Sequence, residues 1–277
     1  MNSIPANGAH IPVLGLGTFR LRGEECARVV AEAAELGYRH FDTAAMYDNE
    51  EDVGEGLVRC GVKRSEIFVT TKVWHSDIGG GALQRSAEAS LKRLKLGFAD
   101  LLLIHWPNAS IPLGESIEAL CDAKARGFAK NIGVANFPMA LLREAVGLAA
   151  QHGEKIACNQ CERHPRFPQA PLLDVCRENG VGFVSYQPIA QGNYLDDPVL
   201  VKIARSHGRE TSQIVLRWQV QQPGVAAIPK ASSRKHLAEN LALFDFQLTA
   251  EEMSAINAMA RAGSRKVNPG FAPAWDY

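Results

Sequence analysis

The chain has 277 residues, of which 46% are apolar and 22% charged, a composition typical of a globular protein with one large core or two small domains. Its 30 basic and 30 acidic residues cancel, which argues against nucleic-acid and membrane-surface partners and favours small-molecule ligands. Neither a basic, apolar N-terminal segment nor a run of about 20 apolar residues stands out, so we expect a cytoplasmic protein folded as a single domain over residues 1–277.

The first predicted element is a hairpin at Asn7-Gly8, a dipeptide that favours two-residue turns and could here form a lid or a plug. After it, short apolar runs alternate with segments of helical periodicity. The runs predict strands near residues 13–19, 40–44, 67–73, 99–106, 130–136, 156–161, 182–188 and 225–229. The segments between them predict helices, including 24–36, 82–95 and 138–150.

Eight β/α units in series predict a (β/α)8 TIM barrel, and the length fits because such barrels need about 250 residues. Nearly continuous apolar strands, such as residues 101–104, are typical of a parallel sheet covered by helices. A doubly wound open sheet is the weaker alternative. Its dinucleotide fingerprint requires a third glycine, which Gly15-Leu-Gly-Thr-Phe-Arg lacks.

Two segments fall outside the eight units. Residues 249–261 open with Thr-Ala-Glu-Glu and continue with helical periodicity, which predicts an added helix with a capped start. The tail from Gly263 to Tyr277 has no periodicity but carries Phe271 and Trp275. It predicts, about equally, an aromatic flap over the barrel mouth or a frayed terminus.

The six cysteines are dispersed along the chain, and we expect buried thiols without disulfides. Cys158 and Cys161 have the C-x-x-C spacing of metal and redox sites. They lie, however, in a predicted strand, where residues three apart point to opposite faces. We therefore expect neither a metal site nor a redox pair there.

Four reactive side chains follow predicted strands. Asp42 ends the second strand with Tyr47 just beyond it, Lys72 ends the third, and His105 ends the fourth. Because a barrel gathers such positions at one mouth, we expect Lys72 to pair with Asp42 and to lower the pKa of Tyr47, which makes the phenol a general acid. His105 could stabilise negative charge on a carbonyl oxygen. Each residue alone could instead satisfy loop backbone groups.

At this point the sequence resembles the aldo-keto reductase family. The motifs run in that family's order and spacing from Gly15 to about Phe246, and they are Gly15-Leu-Gly-Thr, His40-Phe-Asp-Thr-Ala-Ala-Met-Tyr, Thr71-Lys-Val-Trp, Ile104-His-Trp-Pro, Gly133-Val-Ala-Asn-Phe, Asn159-Gln-Cys-Glu-Arg-His-Pro, Ser185-Tyr-Gln-Pro-Ile and Ile228-Pro-Lys. The likeness is closest to prokaryotic members that reduce small aldehydes, dicarbonyls and keto-sugars. It implies that Asp42, Tyr47, Lys72 and His105 form a catalytic tetrad for carbonyl reduction by NADP(H), and that the protein is a monomer.

The resemblance also implies a set of cofactor contacts. Asn136 and Gln160 would hold the nicotinamide carboxamide, Tyr186 would stack on the ring, Lys230 would bind phosphate, and Glu239 and Asn240 would contact adenine. The remaining expected contacts are Gly17, Thr18, Asp42, Gln187, Ile189, Gln191, Ser232 and His236. For the carbonyl substrate, the pocket would be lined by Phe19, Tyr47, Trp74, His105 and Trp106.

Three positions depart from the family pattern. Ala231 replaces a usual serine, His236 replaces a usual arginine, and Ala135 replaces a frequent serine at a carboxamide contact. A neutral histidine attracts a 2′-phosphate less than a permanently charged guanidinium does. The sequence therefore predicts a weaker preference for NADPH and possible use of NADH.

Two other functions remain open. Lys72 at a barrel strand end could form a Schiff base, as in aldolases. Barrels of this kind can also serve as cofactor-sensing regulatory subunits, although the intact tetrad argues against that reading.

Overall fold

An antiparallel hairpin opens the fold in the computed structural model, which describes residues 2–276. Strands β1 (Ser3–Ala6) and β2 (Ala9–Pro12) pair around Asn7 and Gly8, both of which have positive φ, as the predicted turn requires. The Asn7 amide donates to the carbonyls of Ile156 and Asn179. These contacts hold the hairpin at the amino-terminal end of the barrel strands, so it is a plug.

Eight parallel strands follow and pair in chain order. They are β3 (Leu16–Gly17), β4 (His40–Asp42), β5 (Phe68–Val73), β6 (Ala99–Ile104), β7 (Ala129–Ala135), β8 (Ile156–Glu162), β9 (Gly182–Tyr186) and β10 (Val225–Ala227). Leu14 pairs in parallel with Ala227, whose N–H donates to Val13 O at 2.9 Å. This contact closes the sheet, and the predicted TIM barrel is confirmed.

Helices cover the outside of the barrel. They are α1 (Gly23–Leu36), α2 (Glu50–Arg59), α3 (Gly80–Leu94), α4 (Leu113–Ala125), α5 (Met139–Gln151), α6 (Ala170–Glu178), α7 (Pro198–His207), α8 (Thr211–Val220), α9 (Arg234–Leu241) and α10 (Ala250–Asn257). None of these helices within residues 2–276 is long and apolar enough to span a membrane.

The core has two layers because strand side chains alternate between faces. Leu101 and Leu103 pack in the barrel interior against hairpin residues, whereas Leu102 and Ile104 pack against the helices. The same alternation separates the C-x-x-C pair. Cys158 lies in the interior layer and Cys161 in the helix layer, so the two thiols face apart as strand geometry predicts.

Several strands end earlier than predicted. The strands predicted to reach residues 136 and 188 stop at Ala135 and Tyr186, because the next residues, Asn136 and Gln187, adopt positive φ. The predicted added helix is confirmed. Thr249 and Glu252 form its reciprocal cap, but it ends at Asn257, four residues before the expected Arg261.

The tail lies over the carboxyl ends of the strands. The N–H groups of Lys266 and Val267 donate to the buried carboxylate of Glu162. At the far end, the Asp276 carboxylate accepts from the N–H groups of Met139 and Ala140, which open α5. The segment is thus fixed at both ends, which favours the flap over the frayed terminus. Tyr277, the last predicted tail aromatic, lies outside the described residues.

Candidate active site

A buried ion pair lies at the barrel mouth. Lys72 on β5 and Asp42 at the end of β4 sit on neighbouring strands, and Lys72 Nζ donates to Asp42 Oδ1 at 2.6 Å and to Thr43 O at 2.8 Å. Both side chains are buried. Burial alone lowers the pKa of Lys72, but Asp42 and Tyr47 reverse the shift and raise it overall. Lys72 therefore carries a positive charge inside the site.

Tyr47 reaches this ion pair from the short 3₁₀ turn Ala45–Tyr47 that follows β4. Its Oη lies 3.3 Å from Lys72 Nζ. The expectation that the pKa of Tyr47 is lowered is wrong. Burial raises it, Asp42 adds to the rise, and the opposing effect of Lys72 is insufficient. The phenol therefore keeps its proton at neutral pH, as a proton donor must.

His105 follows β6 and stands beside Tyr47. Its ring centroid lies 5.6 Å from that of Tyr47 and 5.2 Å from that of Trp74, both in edge-on geometry. Burial, with Lys72 and His75 adding to the effect, lowers the pKa of His105 well below its usual value. The ring is therefore neutral. Its Nδ1 is buried with no hydrogen-bond partner in the described part of the chain.

The residues expected to hold the nicotinamide surround these four side chains. Asn136 donates to His105 O at 3.0 Å, and the Tyr186 hydroxyl donates to Asn136 Oδ1 at 2.8 Å. Gln160 donates to Asp42 Oδ2 at 2.7 Å. Thr18 donates to the Asp42 carbonyl from both N and Oγ1. The structure thus brings the predicted tetrad and the predicted nicotinamide contacts into one hydrogen-bonded group.

Position 17, another expected cofactor contact, must be a glycine because the backbone of a neighbouring segment packs closely against it. A Cβ at this position would lie 2.7 Å from the Ile228 carbonyl oxygen. No side chain fits there, because β3 must approach the segment after β10 to close the barrel.

The segment from Gln187 to Gln191 has an unusual backbone. Gln187, Ala190 and Gln191 all have positive φ, and Ile189 lies between them. Gln187 Oε1 is also buried without a partner among residues 2–276. Backbone strain and an unsatisfied acceptor are both common at ligand-binding segments. Gln187, Ile189 and Gln191 therefore remain predicted cofactor contacts.

The expected adenine end lies at the start of α9. Lys230 and His236 are exposed, Ser232 and Glu239 are half-buried, and Asn240 is buried. Sequence reasoning did not find Arg28, which donates from Nη2 to Ser232 O at 3.4 Å and from Nη1 to Glu32 Oε1 at 2.8 Å. Its position on the exposed face of α1 carries no sequence signal, since only the barrel closure brings α1 to this loop.

Aromatic rings line the mouth. Phe19 packs 5.0 Å from Tyr47 and is 44% exposed, whereas Trp106 is only 4% exposed. Trp106 is covered by the tail, because Phe271 and Trp275 both pack edge-on against it. Phe19 thus contacts Tyr47, whereas Trp74 and Trp106 contact Phe271 of the tail, and the substrate pocket that these rings would line stays a prediction.

His75 is a further side chain among these rings that sequence reasoning missed. Its ring stacks on Phe271 at 4.1 Å and 16° and lies 4.8 Å from Trp74. Its position directly after Trp74 could have indicated it. Behind Phe271, a cavity of about 570 Å³ opens between the tail and the loop that begins at Pro107.

Known proteins resemble this chain over nearly all of its length. The family model described as Aldo/keto reductase family matches residues 13–261. The chain is 39% identical over 269 residues to the methylglyoxal reductase DkgB of Salmonella typhimurium, which covers 96% of this chain and 99% of that protein. It is also 39% identical over 264 residues to the glyoxal reductase of Bacillus subtilis, covering 95% of this chain and 94% of that one.

Solved structures agree. A crystal structure described as a 2,5-diketo-D-gluconic acid reductase B superposes with a TM-score of 0.97 at 42% identity, covering all of this chain and 98% of that one. A Bombyx mori aldo-keto reductase in complex with NADP gives a TM-score of 0.85 at 34% identity, covering 93% of this chain and 92% of that one.

Proposed function

The chain belongs to the aldo/keto reductase family, and on that premise we propose that it reduces aldehydes, dicarbonyls or keto-sugars to alcohols with NADP(H), using Tyr47 as general acid. The observation that carries the proposal is the buried contact of Lys72 with both Asp42 and Tyr47 beside a neutral His105. This arrangement combines a protonated phenol, a fixed positive charge and a neutral hydrogen-bond donor at one mouth.

The side chains divide the chemistry between them. The neutral His105 ring donates an N–H to the carbonyl oxygen and orients it. Tyr47 Oη gives its proton to that oxygen as hydride reaches the carbonyl carbon, so the C=O group becomes CH–OH. Lys72, 3.3 Å away, stabilises the phenolate that Tyr47 leaves behind, and Asp42 balances Lys72. Solvent then returns a proton to Tyr47.

The nicotinamide cofactor supplies the hydride when bound. Asn136, Gln160 and Tyr186 would hold and stack on its reactive end. Gln187 Oε1, which has no partner among the described residues, and the positive-φ backbone from Gln187 to Gln191 fit the same group. The relative from Bombyx mori binds NADP, which supports this choice of cofactor.

Selectivity for the phosphorylated cofactor should be weak. Lys230 provides one permanent charge for a 2′-phosphate, but His236 stands at the second expected position. Arg28 does lie beside the loop, yet Glu32 already balances its charge at 2.8 Å. We therefore propose that the enzyme prefers NADPH only modestly and also uses NADH.

Small dicarbonyls are the proposed substrates, because two relatives are named as methylglyoxal and glyoxal reductases. The short loop after Pro107 and the exposed Phe19 favour an open, partly apolar pocket that small carbonyl compounds can enter. We further propose a single domain over residues 1–277, acting as a cytoplasmic monomer.

The Schiff-base alternative is disfavoured by the charge of Lys72. An amine must be unprotonated to attack a carbonyl, whereas Asp42 and Tyr47 raise the pKa of Lys72. The regulatory alternative is disfavoured because Asp42, Tyr47, Lys72 and His105 keep the close packing described above.

The test measures the loss of NADPH or NADH absorbance when the wild-type protein is mixed with methylglyoxal, glyoxal or a diketo-sugar acid. The proposal expects cofactor loss matched by alcohol formation, and no covalent adduct after borohydride treatment with substrate alone. Tight NADPH binding without turnover of any carbonyl would instead support the regulatory reading.

A further inference from the structure

The Asn49 side chain makes unusual hydrogen bonds for a residue that directly precedes a helix. Asparagine directly before a helix usually caps it through its side chain. Here the Asn49 side chain makes no cap to α2 within the described residues. It is buried, with 2% exposure, and all of its hydrogen bonds reach two loops at the barrel mouth. Helix capping therefore does not explain it.

The Asn49 side chain makes three hydrogen bonds: two join these loops, and the third holds Asn49 within its own loop. Asn49 Nδ2 donates to Thr18 O at 2.8 Å and to Leu21 O at 2.9 Å. Asn49 Oδ1 accepts from Thr43 Oγ1 at 2.9 Å. The first loop, residues 18–21, follows β3, and the second loop, residues 43–49, follows β4. A single amide thus ties the two loops together.

Both loops lead directly to the reacting groups. On the second loop, Thr43 O accepts from Lys72 Nζ, and Tyr47 lies two residues before Asn49. On the first loop, Thr18 donates twice to the Asp42 carbonyl, and Phe19 packs on the Tyr47 ring at 5.0 Å.

Few other contacts join the two loops near Tyr47. Just after the first loop, Arg22 Nη1 donates to Asp48 O at 2.6 Å and to Asp48 Oδ2 at 3.1 Å, but the two side chains are 59% and 92% exposed, and such surface pairs contribute little. The buried Asn49 amide is therefore the main polar connection that fixes where Tyr47 and Phe19 sit relative to each other.

We propose that Asn49 is a positioning residue that holds the Thr18–Leu21 loop against the Tyr47 loop, and so sets the place of the proton donor and of one pocket wall. The inference rests on the proposed reduction for its kinetic readout. Because hydride transfer requires near-ideal alignment, a small displacement of Tyr47 should cost about 10²-fold in kcat.

The test compares Asn49→Ala with Thr43→Val, a milder change that removes only the hydroxyl bonded to Asn49 Oδ1. Thr43→Ser keeps that hydroxyl and should recover most of the lost rate. Asn131→Ala is the matched control, because Asn131 donates one hydrogen bond to Asp100 O on the barrel wall away from Tyr47. Melting temperatures of all four variants separate misfolding from misplacement.

Two readouts decide the matter. Asn49→Ala and Thr43→Val should lower kcat more than they raise KM, with a larger isotope effect from deuterated NADPH because hydride transfer becomes rate-limiting. In an ultraviolet titration, with Tyr47→Phe subtracted, Tyr47 should ionise at lower pH, since water enters between the loosened loops. The titration needs no turnover, so it tests Asn49 even if the proposed reduction fails. Variants that match Asn131→Ala in both readouts would overturn the proposal.

Discussion

At the residue scale, burial and the charge of Lys72 shift the pKa of Tyr47 in opposite directions. The expected proximity of Lys72 at the barrel mouth predicts a lowered pKa for Tyr47, yet burial in the folded chain raises that pKa. The strand-end pattern could predict which residues meet, because barrel topology gathers the carboxyl ends of strands. It could not predict the degree of desolvation, which depends on how closely rings such as those of Phe19 and His105 pack around the phenol.

The pH dependence of reduction follows from this shift. Reduction needs protonated Tyr47, whose pKa is raised from its ordinary value of about 10, and neutral His105, whose pKa is lowered. The rate should therefore be level as the pH rises from about 7 towards the ordinary tyrosine pKa of about 10, and should fall only at higher pH, as the pH passes through the raised pKa of Tyr47. Measurement of kcat/KM for methylglyoxal over this range checks it, with circular dichroism to exclude unfolding. A marked decline below pH 9 is inconsistent with this assignment.

His236 gives a second prediction at this scale. His236→Arg should raise the NADPH over NADH ratio of kcat/KM by about ten- to a hundredfold, because one charge-assisted hydrogen bond to a phosphate is worth roughly 1.5–3 kcal/mol. The exposed His152, beyond α5, offers His152→Arg as a control that adds the same charge elsewhere. Equal ratios in the two variants would show that position 236 does not face the phosphate.

At the element scale, strand and helix positions could be predicted, but their ends could not. Strand ends depend on left-handed residues such as Asn136 and Gln187, and apolar periodicity carries no information about φ. The tail could not be placed for a related reason. Its anchors are the Glu162 carboxylate and the start of α5, both of which lie more than 100 residues away in the chain.

Asp276 provides the test of the tail. Asp276→Ala removes the acceptor for two N–H groups of α5 and should lower the free energy of unfolding by about 1 kcal/mol. It should also raise KM for the carbonyl severalfold and expose Trp106 to a fluorescence quencher, while NADPH affinity stays the same. Asp196→Ala, at an exposed position on another loop, is the control. If KM and quenching match that control, the tail does not cover the pocket.

At the scale of the whole molecule, the barrel places its packed interior and its reactive side chains at opposite ends. The hairpin plug and the interior layer close the amino-terminal end, while the ion pair, the aromatic rings and the tail meet at the other. Repetition of β/α units and near-continuous apolar strands were enough to predict this architecture, because few folds bury such strands on both faces. Contacts between loops of different units, such as those of Asn49, arise only after closure.

The central claim is that Tyr47 donates the proton, and Tyr47→Phe tests it most directly because it removes one hydroxyl and keeps the ring. We predict that kcat for methylglyoxal reduction falls by about 10²- to 10⁴-fold, the usual contribution of a general acid, while NADPH still binds with wild-type affinity. A variant that binds NADPH and keeps most of the wild-type kcat would contradict the account.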